Sequence, residues 1–156
     1  MRNSPLAEKM MTHDLSEAKI ILDIYGFKLE RFANKYTDKK FYFINDKKAG
    51  TFGNKVYVKG SFLDMYKNFI NKVDLVYVEN LDKNYKQFLN ALYNVLKPGG
   101  KAYIEFELFG FPEMKSKLRI YPQDFVNEII KYFAVIDVFI KRKGRNFYAI
   151  FYLEKL

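Results

Sequence analysis

Hydrophobic and polar positions along this chain alternate between two rhythms, one of about three and a half residues and one of two. From 84 to 96, Tyr85, Phe88, Leu89, Leu92 and Leu96 fall on one face of a helix. Pro98 cannot continue that helix and biases Lys97 towards extended backbone, while Gly99 and Gly100 let the chain reverse at low steric cost. Ala102, Tyr103, Ile104 and Phe106 then read as a strand. This stretch returns the chain from a helix into a sheet.

The same pattern recurs on both sides. Short β-prone runs occupy 18–24, 40–44, 55–59 and 73–78, and helical spacing predicts helices over 27–36, 64–71 and 121–133. Two further β runs, 135–140 and 147–153, flank a loop containing Gly144 and predict a closing hairpin. Residues 47–54 are too few and too glycine-rich for a helix and are expected to form a loop. Residues 1–17 read as a polar N-terminal extension with a short helix over 4–11, and 18–156 as a single domain. The alternation of strand and helix predicts an α/β, doubly wound, mostly parallel sheet of seven strands with an antiparallel C-terminal strand.

Two motifs carry a family resemblance. The junction Leu96-Lys97-Pro98-Gly99-Gly100 and the upstream run Val73-Asp74-Leu75-Val76-Tyr77 resemble paired motifs of class I S-adenosylmethionine-dependent methyltransferases. The resemblance implies a sheet whose last strand is antiparallel and inserted beside the fifth, and it covers residues 18 to the C-terminus in reduced form. It also implies S-adenosylmethionine as cofactor. Asp23 matches the acidic residue that ends the family's first strand, and Asp46, 23 residues later, matches the acidic residue that meets the ribose. The family then has three alternating glycines, whose positions here hold Tyr25, Phe27 and Leu29, with Gly26 between the first two. Ser61 stands where an aspartate often meets the adenine, and Phe62 after it suits either purine stacking or the core. The implied cofactor set is therefore Asp23, Gly26, Asp46, Ser61 and Phe62, with Glu79 and Asn80 facing the methyl acceptor.

Composition narrows the alternatives. The chain has 156 residues and no cysteine, which excludes disulfides and cysteine-ligated metal centres. No apolar run is long enough to span a membrane, so a cytoplasmic protein is expected. His13 is the single histidine and has no partner visible in the sequence, and no metal-ligand cluster or nucleophile–base pair stands out. The net charge of +9 favours nucleic acid as a partner, and lysine-rich codon usage explains it equally well. Lys115, Lys117 and Arg119 in the segment after the fifth strand, with Lys141, Arg142, Lys143 and Arg145 around the hairpin tip, would form a phosphate-binding rim if the two segments lie together. The absent glycine fingerprint and the hairpin ending disfavour a nicotinamide oxidoreductase. The expected function is an S-adenosylmethionine-dependent methyltransferase of unknown acceptor, and the alternative is a catalytically inactive relative working as a nucleic-acid-binding or assembly module.

Overall fold

The β-prone runs pair into one sheet in a computed structural model that describes residues 5–79, 81, 84–108 and 120–156. Its strands are β1 (Ile20–Ile24), β2 (Lys40–Asn45), β3 (Gly50–Phe52), β4 (Lys55–Lys59), β5 (Val73–Glu79), β6 (Leu96–Leu108), β7 (Phe133–Lys143) and β8 (Asn146–Lys155). The helices are α1 (Pro5–Glu17), α2 (Glu30–Ala33), α3 (Phe62–Met65), α4 (Tyr85–Val95) and α5 (Pro122–Ile129), with a 3-10 turn at Tyr66–Phe69. The strand order is β3-β4-β2-β1-β5-β6-β8-β7. Strands β4, β2, β1, β5 and β6 run parallel, and β8 inserts antiparallel between β6 and β7. The doubly wound sheet with an antiparallel end is as the sequence predicts.

An eighth strand joins the expected seven. Gly53 has a φ of 62°, which lets a two-residue turn fold β3 back on β4 with Phe52 opposite Lys55. The stretch expected as a loop is therefore a hairpin at the sheet edge. The Pro-Gly-Gly motif also differs from a simple turn. Leu96 is already extended and pairs with Val73, and the ladder resumes at Leu75 opposite Lys101. Pro98, Gly99 and Gly100 lie within β6 at this break in register, and Gly99 takes a φ of 81°.

Two cores cover the sheet. Phe88, Leu89, Leu92 and Val95 of α4 and Phe125 and Ile129 of α5 pack on one face, together with Phe62 and Phe69. On the other, Ala7, Met11 and Leu15 of α1 bury against Phe41, Tyr77, Tyr103 and Ile150. Residues 5–17 are thus part of the packed domain rather than an appendage. The helix is anchored by Asp14, whose carboxylate accepts the hydroxyls of Tyr103 (2.7 Å) and Tyr152 (2.5 Å), two stacked rings on neighbouring strands. His13 is exposed beside Glu17 (3.6 Å), away from the sheet.

Buried lysines finish helix ends. The Lys39 ammonium donates to the carbonyls of Ser16 and Ala18 at the end of α1. The Lys155 ammonium donates to the carbonyls of Tyr93 and Leu96, both at 2.7 Å, where α4 runs into β6. Such charge-assisted bonds satisfy carbonyls that have no partner within the helix. Lys155→Met should lower the unfolding free energy by about 1–2 kcal/mol, measured as a shift of the urea midpoint at unchanged slope. Among the described residues no helix is long and apolar enough to cross a membrane.

Candidate functional site

The carboxyl ends of the parallel strands gather most of the singled-out residues. This is where open α/β sheets bind ligands, because the crossover connections diverge there. Asp23 lies in β1, flanked by Tyr77 of β5 and Phe43 of β2, and is almost fully buried. Its carboxylate accepts the Leu29 amide N–H at 2.7 Å, tying down the turn that follows β1. Burial pushes the Asp23 pKa up to about 7, with help from the nearby Glu79 charge and against the amides of Leu29, Gly26 and Phe27.

The turn itself keeps a glycine conformation without the glycines. Tyr25 (φ 73°) and Phe27 (φ 52°) both adopt left-handed backbone, at the positions aligned with the family's first two glycines. Leu29, at the third, has an ordinary φ of −98°. Left-handed backbone at a bulky residue costs on the order of 1–3 kcal/mol, so packing must hold each side chain in place. Phe27 stacks near Phe43 and Tyr57 on one side of the sheet. Tyr25 goes to the other side, where its hydroxyl accepts the Phe62 amide N–H at 2.9 Å and its ring lies 6.4 Å from that of Phe88. The left-handed turn also shortens the expected 27–36 helix to α2, and the Asn54 side chain donates to the carbonyls of Ala33 at its end and of Tyr36 beyond it.

Gly26 is the close-approach residue, but a protein side chain is what approaches it. A Cβ built there would overlap the Glu79 carboxylate and stand 2.7 Å from the Glu79 Cβ. Glu79, at the end of β5, thus packs onto the turn. Burial raises its pKa, the Glu105 charge adds to that, and Lys28 and Lys141 oppose it. Asn80 lies outside the described residues.

The remaining members of the implied cofactor set follow β2 and β4 at the same end of the sheet. Asp46 is exposed just beyond β2, while the preceding Asn45 is buried and accepts the amides of Lys47 and Lys48. Ser61 is half-buried ahead of α3, and its hydroxyl makes no capping bond. Phe62 is fully buried, with Phe88 at 5.0 Å and Tyr66 at 6.2 Å, so it belongs to the core and has no face for a purine. The helix begins at Phe62, ahead of the expected start at 64, so Asp64 lies in its first turn.

A buried charge cluster was not foreseen. Glu105 of β6 accepts the Tyr77 hydroxyl at 2.5 Å and lies 3.5 Å from the Lys28 ammonium and 3.7 Å from that of Lys141. Lys141 is therefore turned inward, away from the hairpin-tip rim, leaving Arg142, Lys143 and Arg145 exposed there. Lys115, Lys117 and Arg119 lie outside the described residues. Strand alternation contained the signal for the cluster, since Glu105 follows Tyr103 and Lys141 follows Phe139 at a spacing of two, on the same inward face. Among the described residues no three His, Asp or Glu side chains converge to hold a metal ion.

Two shallow clefts, of about 190 and 360 Å³, lie at the opposite, amino ends of the strands. The side chain of Asp74 in the first binds the amides of Lys19 and Ile20 and the Lys97 ammonium (3.2 Å), so it splices strands rather than offering a free carboxylate.

No protein-family model matches this chain, and comparison with curated proteins finds no match. Solved structures do match along nearly its whole length. A 1,6-didemethyltoxoflavin-N1-methyltransferase from Burkholderia thailandensis, with bound 1,6-didemethyltoxoflavin and S-adenosylhomocysteine, superposes with a TM-score of 0.74 at 12% identity, over 97% of this chain and 77% of its own. An S-adenosylmethionine-dependent methyltransferase from Mesorhizobium loti gives 0.74 at 12%, over 96% of each chain. A 16S rRNA (adenine(1408)-N(1))-methyltransferase from Catenulisporales acidiphilia gives 0.66 at 13%, over 100% of this chain and 93% of its own. At such low identity the likeness establishes the class I methyltransferase fold.

Proposed function

We propose that this chain, built on the class I S-adenosylmethionine-dependent methyltransferase fold, works without that cofactor, as a binding module. One observation carries the reading. The turn after β1 keeps the left-handed backbone of a glycine cradle, but the side chains of Tyr25 and Phe27 project from its first two glycine positions. Glu79 packs on the one glycine that remains. A ligand seated against this turn on the α4 side would have to displace Tyr25 and Glu79, so the residues present do not fit S-adenosylmethionine held in the family's manner. The partner class that suits a chain of net charge +9 is nucleic acid, met first by the exposed Arg142, Lys143 and Arg145 of the β7–β8 tip.

A second reading, an active methyltransferase, is favoured by Asp23 in β1 and by the exposed Asp46 after β2, the two acidic positions that the resemblance assigns to the cofactor. Calorimetric titration of the unaltered chain with S-adenosylmethionine and S-adenosylhomocysteine separates the two. The expected result is no binding up to about 1 mM, which is weaker than roughly −4 kcal/mol. Micromolar binding that Asp46→Ala weakens at least tenfold would overturn the proposal and install the enzyme. Single-stranded RNA should bind with an affinity that falls steeply with salt, and the triple change of Arg142, Lys143 and Arg145 to glutamine should flatten the log–log slope by about 2.

A further inference from the structure

The filled cradle has an identifiable occupant. This step rests on the reading above and names the group that closes the site and the ligand class it excludes. The Tyr25 phenol spans three segments that are distant in sequence, the turn after β1, the first residue of α3 and the inner face of α4. At its far end an oxygen accepts the Phe62 amide, and alongside it lies the buried Phe88 ring. A flat ring with an acceptor on its edge, set against a backbone N–H and an aromatic neighbour, satisfies this slot. A purine offers the same combination, because its ring nitrogens accept in plane and its faces pack on aromatic side chains. The exposed Asp46 carboxylate and the half-buried Ser61 follow the neighbouring strands β2 and β4 at the same end of the sheet.

We infer that Tyr25 is a built-in occupant of a slot suited to a purine nucleoside, and that its side chain is what keeps such a ligand out. The arrangement is the chain's own substitute for a bound base. The Phe62 amide is satisfied and the Phe88 ring is covered in the absence of any ligand.

The test removes the occupant and offers the ligand. Tyr25→Gly suits the purpose because glycine takes a φ of 73° without strain. Tyr25→Asn is the second variant, since asparagine is the side chain that best tolerates left-handed backbone. Each is titrated with adenosine and with S-adenosylhomocysteine by calorimetry, after circular dichroism and a cooperative melt have shown that it is folded. The expected result is a gain in adenosine affinity of at least tenfold over the unaltered chain in whichever variant folds, and no gain in Tyr25→Phe, which keeps the ring. Folded Tyr25→Gly or Tyr25→Asn that binds no better than the unaltered chain overturns this inference and leaves the proposed function standing. Tight binding of S-adenosylhomocysteine by the unaltered chain overturns the proposed function itself, and the inference with it.

Discussion

Glu105→Gln should lower the unfolding free energy by about 3–5 kcal/mol, the cost typical of removing one partner from a buried ion pair. Glutamine has nearly the shape of glutamate and can still accept the Tyr77 hydroxyl, so the change isolates the charge. Two ammonium groups face that charge, Lys28 at 3.5 Å and Lys141 at 3.7 Å, with side chains only 10% and 13% exposed. Burial already pulls the Lys141 pKa down while Glu105 supports its charged form. Glu79 also favours the charged Lys141, which places the expected loss towards 3 kcal/mol rather than 5. Urea unfolding at neutral pH measures it, and the double variant with Lys141→Met should recover part of the loss because one buried cation is then gone. A loss under about 0.5 kcal/mol, the range of ordinary surface substitutions, would mean that the lysines do not depend on Glu105.

The second large effect is a pH dependence set by Asp23. Its pKa is about 7 in the folded chain against an ordinary value of 3.8. The folded chain therefore holds this proton more tightly than the unfolded chain. Its contribution to stability is complete below pH 3.8 and is lost as pH rises towards 7. At roughly 1.4 kcal/mol for each pK unit, the full window is worth about 4 kcal/mol and the part between pH 5.5 and 8 about 2 kcal/mol. Glu79, also raised, acts in the same direction. Asp23→Asn keeps an acceptor for the Leu29 amide but cannot ionise. The stability difference between the variant and the unaltered chain should accordingly shift by about 2 kcal/mol in the variant's favour from pH 5.5 to 8. A constant difference would show that the amides of Leu29, Gly26 and Phe27 keep the carboxylate ionised throughout that range.

These two effects share an origin. The inward-facing groups at this end of the sheet that the polar cluster comprises, Asp23, Glu79, Glu105, Lys28 and Lys141, form contacts within the protein. Burial and like charge raise the pKa of Asp23 and Glu79, while Lys28 and Lys141 offset the charge of Glu105.

Local chemistry decided much of this architecture. Where strands and helices fall follows from the period of apolar residues, and the Leu-Lys-Pro-Gly-Gly run has few conformations open to it. The closing hairpin follows from two β runs around Gly144, and Asp23 was singled out because it matches the acidic position that the family resemblance places at the end of the first strand. The N-terminal helix was only half legible, because Ala7, Met11 and Leu15 form a thin stripe and the partners of Asp14, Tyr103 and Tyr152, lie 89 and 138 residues away. Periodicity gives each side chain a face but not a partner. For that reason only the tertiary structure could join Tyr25 to Phe62 across 37 residues and turn Lys141 from a surface rim towards Glu105. It alone put Glu79 on Gly26. A glycine missing from a motif can be read in one dimension, but what occupies the room it would have left depends on how distant segments pack.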